Sequence, residues 1–265
     1  MPPVALEGKV VVVVGGSSGL GLSAVRACVQ AGASVVAVNP SESAPPPATS
    51  SAGFRVWIGE ARDAETARHA VRHAVSEFGR LDALYHVAGG SGRGFGDGPL
   101  HQLTDAAWHE TLRVNLTSLF HSNRAAAERF LAQGTGGSVL NMASVLARSP
   151  AAGFFDTHAY AAAKAAILGL TTSAAAYYAP HGIRFNAVLP GLTDTPMSAR
   201  AMSDPRILEF IRNKQPLDGG RAGRPSDLDA AVVFLLSDDS RFVTGQSLAV
   251  DGGWSVSDGG ARNAP

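Results

Sequence analysis

The run Val10-Val-Val-Val-Val14 passes without a break into Gly15-Gly16-Ser17-Ser18-Gly19-Leu20-Gly21, and a segment of helical period follows. Five consecutive β-branched residues favour a strand. With no polar residue among them, that strand is expected to be buried on both faces, as in a parallel sheet covered by helices. The turn that follows has a chemical reading. Gly15 allows a tight reversal, Gly19 lets a phosphate approach backbone N–H groups, and Gly21 lets the helix pack on the sheet. The helix N-terminus then presents partial positive charge to a pyrophosphate. The plain alternative is a glycine-rich surface turn, and the placement directly between a strand and a helix favours the phosphate-binding reading.

Further along, short apolar runs at Ser34–Val38, Phe54–Ile58, Ala83–Val87, Ser138–Met142, Arg184–Val188 and Ser247–Val250 read as strands. Segments of helical period lie at Gly21–Ala31, Ala64–Phe78, about Asp105 to Gln133 and about His158 to Ala179. This alternation predicts an α/β chain: a single Rossmann-type domain over residues 1–265, its doubly wound parallel sheet covered by helices on both faces. The Pro/Ser/Ala run Ser41–Ser51 reads as a loop where such a fold would carry a helix. With 22 basic against 22 acidic residues, the chain lacks the basic excess that a nucleic-acid or anionic-membrane surface needs. One cysteine, Cys28, excludes an internal disulfide framework and a Cys-rich metal site, and no metal is expected. No basic start with a long apolar run and no stretch of about 20 apolar residues is present, so a cytoplasmic location is expected.

Several spacings occur together and in order: Gly15-x3-Gly19-x-Gly21, Tyr160-Ala-Ala-Ala-Lys164, Asn186-Ala-Val-Leu-Pro190-Gly191 with Thr195, then Phe242-Val-Thr-Gly245 and Val250-Asp-Gly-Gly253. On these residues the chain resembles the short-chain dehydrogenase/reductase family over essentially its whole length. The resemblance implies an NAD(P)-dependent oxidoreductase that interconverts a ketone and a secondary alcohol. It assigns cofactor contacts to the turn residues Gly15, Ser17, Ser18, Gly19, Leu20 and Gly21. Asn39 would serve at the end of the second strand, with Glu60 and Ala61 beside the adenine. Val87, Ala88 and Gly89 would follow the fourth strand, and Pro190, Gly191, Thr193 and Thr195 would lie on the nicotinamide side.

Tyr160 and Lys164 are four apart on one expected helix and so share a face. A free tyrosine titrates near pH ~10, so exchanging a proton near neutrality calls for a stabilised phenolate, which a nearby ammonium supplies. An Ala-rich helix carrying both residues by chance is the alternative. The resemblance completes the catalytic set with Ser144, in Asn141-Met-Ala-Ser144, placing the substrate oxygen. Asn115, in Val114-Asn115-Leu-Thr, would hold a water that relays protons to Lys164, which also binds ribose hydroxyls. For Asn115 the competing reading is a polar residue at a helix kink. Two other functions compete: a redox-inactive cofactor-binding regulator, and an elimination-type lyase. Relatives of the lyase kind lack the glycine turn and carry Arg in place of Lys164.

The chain departs from the family pattern at several points. Val14 replaces a usual Thr, and His86-Val87-Ala88-Gly89 stands for Asn-Asn-Ala-Gly, with His86 read as a structural substitute. Asn39 replaces the acid of NAD users without supplying the base of NADP users. Ser17, Ser18 and Pro40 supply none either, so NAD is favoured over NADP, although Ser41, Ser43 and Arg62 could serve a phosphate. Tyr160 follows Ser144 by 16 positions, longer than is usual, and the extra length in Ala151–His158 either walls the substrate pocket or is plain loop elongation. Gly89–Gly98, with six glycines, reads as a flexible loop. Residues 195–216 read as a lid whose Met197, Met202, Ile207, Leu208, Phe210 and Ile211 either meet a hydrophobic ketone or alcohol or pack a small helix. Arg200, Arg206, Arg212 and Lys214 could meet an acidic group or be solvated. Ala125–Ala127, Ala161–Ala163 and Ala174–Ala176 suggest close helix contacts between subunits, with a homotetramer expected and a homodimer second.

Overall fold

The five valines make a strand that is buried along its whole length, and the rest of the sheet forms around it. The structure, a computed structural model, describes residues 5–40 and 53–260. Its first half contains β1 (Val10–Val14), α1 (Gly19–Gln30), β2 (Ser34–Asn39), β3 (Phe54–Ile58), α2 (Ala64–Phe78) and β4 (Ala83–His86). There follow α3 (Asp105–Leu112), α4 (Ser118–Gln133), β5 (Gly137–Met142), α5 (His158–Tyr178) and β6 (Ile183–Pro190). The last part holds α6 (Ala199–Met202), α7 (Pro205–Lys214), α8 (Asp229–Leu236) and β7 (Ser247–Val250). All seven strands are parallel, in the order β3-β2-β1-β4-β5-β6-β7. The order reverses between β1 and β4, and in such sheets the crevice beyond the carboxyl ends at that reversal binds ligands.

Side chains alternate across β1 with the strand period of two. Val10, Val12 and Val14 join Val36 and Val38 under the alanines of α2 and α4, including Ala67, Ala70 and Ala126. Val11 and Val13 join Val35 and Ala37 under α1 and α8, against Ala24, Cys28, Val232 and Leu236. Each fully buried valine contributes ~1.5–3 kcal/mol, so the strand is held from both sides. A third cluster joins Ile167 of α5, Leu189 of β6, Ile207 and Ile211 of α7, and Trp254. Arg184 ties β6 to the end of α8 by donating to the carbonyls of Leu235, Ser237 and Val243 and to Ser240 Oγ.

The elements differ from expectation in a few places. Helix α1 starts at Gly19, not Gly21, and β6 runs on to Pro190. The long helix expected from about Asp105 to Gln133 is interrupted by a π turn at Arg113–Thr117. Helix α8 is not marked in the sequence, because Ala-Ala-Val-Val-Phe-Leu-Leu has no polar stripe to reveal a helical period. Ala125–Ala127, expected at a subunit contact, lie on the buried face of α4, in the core. The loop reading of Ser41–Ser51 lies outside the described residues. Among the described residues, no helix is long and apolar enough to cross a membrane.

Candidate active site

A cavity of about 700 Å³ opens beyond the carboxyl ends of the central strands. One end is built by the glycine turn. Gly15 has φ of 93°, and a Cβ there would lie 2.7 Å from the backbone nitrogen of Ala88. A Cβ on Gly21 would collide with the Gly15 carbonyl oxygen, so only glycine lets α1 start this close to β1. No side chain caps α1, whose first intrahelical bond runs from Leu22 N to Ser18 O at 3.1 Å. The N–H groups of Gly19, Leu20 and Gly21 precede that bond, and these residues line the cavity. A cradle that any Cβ would fill, at a positive helix end, suits a diphosphate.

Glu60, Ala61 and Arg62 wall the adjoining region, and Arg62 is already paired with Glu60 at 3.3 Å and Glu110 at 3.2 Å. Asn39 is not on this wall, contrary to expectation: Val38 and Pro40 are. Strand alternation turns Asn39 toward the α1 side with Val35 and Ala37, where it is fully buried and neither polar atom of its amide has a partner among the described residues. Ser41 and Ser43 lie outside the described residues. Ser17, Ser18, Val87, Ala88, Gly89, Pro190, Gly191, Thr193 and Thr195 all line the cavity. A Cβ on Gly19 would come 3.2 Å from the Thr195 side chain, so the turn and the start of the lid face each other closely.

The chemical end gathers Asn115, Ser144, Tyr160 and Lys164 onto the same cavity. Ser144 is buried just past β5, and its Oγ accepts from Leu146 N at 3.2 Å, which fixes the hydroxyl on a short 3-10 turn. Helix α5 presents Tyr160 and Lys164 from its first two turns. The Lys164 amine is buried, donates to the Met142 carbonyl at 2.8 Å and lies 5.5 Å from the centre of the Tyr160 ring. Burial pushes Lys164 down to about 7. The Tyr160 phenol is raised above its ordinary value, again by burial, with a hydrogen bond to Ser144 pulling it partly back. Burial thus disfavours the charged form of both groups, and the Ser144 hydrogen bond works against it on the tyrosine.

Asn115 sits in the π turn, fully buried. Its Nδ2 donates to Gly90 O at 2.9 Å and Thr111 O at 3.0 Å, and its Oδ1 accepts from Gly90 N at 3.1 Å. Single π turns inside helices recur at functional sites. The kink reading and the functional reading therefore meet in one residue, which satisfies the widened turn and also faces the cavity. A Cβ on Gly89 would lie 2.6 Å from Asn115 Oδ1 and 3.6 Å from Lys164 Nζ, so glycine there leaves the space between the two groups clear.

A family model, adh_short_C2, described as enoyl-(acyl carrier protein) reductase, matches residues 14–255. Cis-4-hydroxycyclohexanecarboxylate dehydrogenase of Sinomonas cyclohexanicum is 37% identical over 256 residues, 95% of this chain and 98% of that one. 2-Dehydro-3-deoxy-D-gluconate 5-dehydrogenase of Escherichia coli (strain K12) is 34% identical over 253 residues, covering 94% and 96%. Among solved structures, a gluconate 5-dehydrogenase from Burkholderia cenocepacia J2315, in complex with NADP and tartrate, has a TM-score of 0.85 at 28% identity, covering 96% and 97%. The chain belongs to the short-chain dehydrogenase/reductase family. It is an oxidoreductase that acts on CH–OH groups with NAD(P).

One residue of the glycine-rich loop holds the backbone at Tyr160. Asp97 is 4% exposed; its Oδ1 accepts from Ala159 N at 3.1 Å and its Oδ2 from Tyr160 N at 2.8 Å. Thr157, the formal N-cap of α5, makes no side-chain cap bond, so Asp97 caps this helix from 62 residues away. The glycine-rich loop is docked rather than free: Asp97 N donates to Gly92 O at 3.1 Å, and His158 Nδ1 donates to Gly98 O at 2.9 Å. A helix start lacking a good local cap was the available signal, but the partner is a tertiary contact.

At the substrate end of the same dehydrogenase fold, Phe95, Leu146, Phe155, Met197 and Trp254 line the cavity. Of the six apolar lid residues, only Met197 lies on this wall. Ile207 and Ile211 pack in the core, and Phe210 sits against Phe154 (ring centres 4.8 Å apart) and Trp254 (5.7 Å). Of the four lid cations, Arg200 alone lines the cavity; Arg206 pairs with Asp204 at 3.1 Å, and Lys214 donates to the Ser257 carbonyl. The 151–158 segment does wall the pocket, through Phe155 and Thr157. His86 is buried off the wall, with Nδ1 2.7 Å from Ser122 Oγ and Nε2 3.3 Å from Ser118 Oγ. Burial, reinforced by Lys164, pushes it down to about 3, so it is a neutral structural residue at working pH.

Proposed function

We propose that this enzyme interconverts a secondary alcohol and its ketone, with Tyr160 as the acid/base group. The observation that carries this reading is that Asn115, Ser144, Tyr160 and Lys164 meet on one cavity with the glycine turn. The residues fit the cofactor that the family uses. Gly15, Ser17, Ser18, Gly19, Leu20 and Gly21 would hold its diphosphate, Val87, Ala88 and Gly89 its inner ribose, and Pro190, Gly191, Thr193 and Thr195 its nicotinamide, with Lys164 on the ribose hydroxyls. When bound, the nicotinamide exchanges a hydride with the substrate carbon. The protein does the rest. Ser144 Oγ hydrogen-bonds the substrate oxygen and fixes it beside the tyrosine. In reduction the Tyr160 hydroxyl gives that oxygen its proton; a phenol held neutral by burial is suited to donate. In oxidation the same hydroxyl takes the alcohol proton and passes one on towards Lys164. A water on the free lone pair of Asn115 Oδ1 would carry it to Lys164 Nζ.

The names of the two curated relatives support an alcohol on a carboxylate-bearing ring or chain. Residues 195–216 act in this reading as the lid of one NAD(P)-binding unit. NAD is favoured over NADP. Asn39 and Pro40 carry no positive charge, and the cation on the adjoining wall, Arg62, is balanced by Glu60 and Glu110. A homotetramer is the favoured assembly. Ala165, Ala166, Gly169, Thr172, Ser173 and Ala176 leave the outer face of α5 small and exposed, as a close helix contact requires. The reading is tested by following absorbance at the reduced-nicotinamide band across cyclic and acyclic secondary alcohols with each cofactor. Turnover with a lower KM for NAD⁺ supports it; no redox turnover with any of them removes it, and an NADP⁺ preference reverses the cofactor assignment. A monomeric mass in solution would contradict the assembly.

A further inference from the structure

Arg93 and Arg200 reach the substrate end of the cavity from elements far apart in sequence. Arg93 is on the short turn Arg93–Phe95 of the docked glycine loop, and Arg200 is in the first turn of α6. Both Nη2 atoms donate to one oxygen, the Phe154 carbonyl, at 3.4 and 3.0 Å. Two like charges are thus held side by side on a single neutral acceptor. That acceptor is itself fixed, since the Phe154 ring stacks on Phe210 and the Phe155 ring packs edge-on against Trp254 at 5.7 Å. The Arg200 guanidinium also lies 5.9 Å from the centre of the Phe155 ring.

Neither guanidinium has a carboxylate within ion-pair distance among the described residues. The acids nearby are committed elsewhere: Asp97 caps α5, and Asp156 accepts from Gly153 N at 2.9 and 3.1 Å. Partial burial and the charge of Arg200 hold Arg93 below the ordinary arginine range, against a weaker opposite pull from Asp156 and Asp97. In a chain of zero net charge this is a local, built concentration of positive charge. Each planar guanidinium can offer two parallel N–H donors to a carboxylate. The wall next to them is apolar, through Phe95, Phe155 and Met197.

Resting on the alcohol–ketone reading above, we propose that Arg93 and Arg200 form the substrate-recognition site for a carboxylate, so that the substrate is a hydroxy acid or oxo acid with an apolar body. The carboxylate binds at the two arginines, the hydrocarbon part lies on Phe155 and Met197, and the carbinol carbon is carried towards Ser144 and Tyr160. The longer Ser144–Tyr160 segment acquires a purpose, because it supplies the carbonyl that sets both arginines.

The test separates the binding site from the chemistry. With the enzyme saturated by NAD⁺, calorimetry compares cyclohexanecarboxylate with neutral cyclohexanecarboxamide. Loss of charged hydrogen bonds predicts roughly 10- to 100-fold tighter binding of the carboxylate. The double variant Arg93→Gln/Arg200→Gln should lose this preference, and Arg200→Lys should retain part of it, since a lysine keeps the charge without the fork. Unchanged melting curves establish that the variants are folded. Equal binding of acid and amide, or a preference that survives in the double variant, overturns the proposal. In parallel, 4-hydroxycyclohexanecarboxylate and cyclohexanol are assayed for NAD⁺ reduction. Selective oxidation of the acid supports the site, and equal efficiency on both overturns it. If the acid probe binds through the arginines and neither alcohol is oxidised, the recognition site stands and the redox reading fails.

Discussion

Replacing Asp97 with alanine removes the acceptor for two backbone donors in the first turn of α5, those of Ala159 and Tyr160, at 3.1 and 2.8 Å. A hydrogen bond to a charged acceptor contributes ~1.5–3 kcal/mol net, and loss of a capping side chain costs ~0.5–2 kcal/mol. Because both bonds end on one carboxylate they are not additive, and water can reach part of a frayed turn, so the expected cost is about 2–4 kcal/mol. For a chain of this size each kcal/mol moves the melting temperature by ~2–4 °C, so Asp97→Ala should melt roughly 5–15 °C lower. Asp97→Asn keeps one acceptor oxygen and should lose about half as much. Kinetics separate positioning from plain stability. At a temperature where both variants are folded, kcat should fall because Tyr160 is no longer held. The KM for the cofactor should change little, since the glycine turn lies on another element. If Asp97→Ala melts with the wild type and keeps its kcat, the capping argument is wrong.

The other predictions use the same site. Lys164 titrates near 7 because it is buried, so its neutral fraction grows as the pH rises through that value. The rate of alcohol oxidation should climb across that window, and in Lys164→Arg the limb should vanish, because a guanidinium stays charged; a rate flat between about pH 6 and 8 in the wild type counts against the proton path. For stability the sign is fixed too: the unfolded lysine holds its proton up to ~10.4, so between 7 and that value the unfolded chain binds the extra proton and this group makes stability rise with pH. Gly21→Ala would drive a methyl into the Gly15 carbonyl oxygen and should abolish reduced-cofactor binding measured by fluorescence titration. Titration with wild-type affinity would contradict the role given to the turn.

How much of this was legible depended on the range of the interactions. β1 and the glycine turn are local: Val10–Val14 must be a two-sided strand, and a Cβ at Gly21 has nowhere to go. Tyr160 and Lys164 are one helical turn apart, so periodicity alone puts them on one face. The burial of that pair was not legible, because a sequence gives neighbours along a helix but not depth, and burial acts on both groups. Asn39 is at the expected strand end but turned to the other face, which a one-residue difference in alternation decides. Asp97 depends on a contact across 62 positions, and Arg93 and Arg200 on contacts with Phe154 across 61 and 46, made only once the glycine loop, the 151–158 segment and the lid have met. Helix α8 carried no stripe, so its apolar run gave length without period.

Tyr160 is the residue on which the proposed chemistry depends most directly. The measurement is NAD(P)-dependent turnover of Tyr160→Phe on a confirmed alcohol, with cofactor binding measured alongside by fluorescence. The substitution removes one hydroxyl and keeps the ring against Lys164, so cofactor affinity should be retained while kcat falls by roughly 10²–10⁴, the range for losing a general acid–base group. A variant that binds cofactor normally and turns over at the wild-type rate would show that the proton moves through another group.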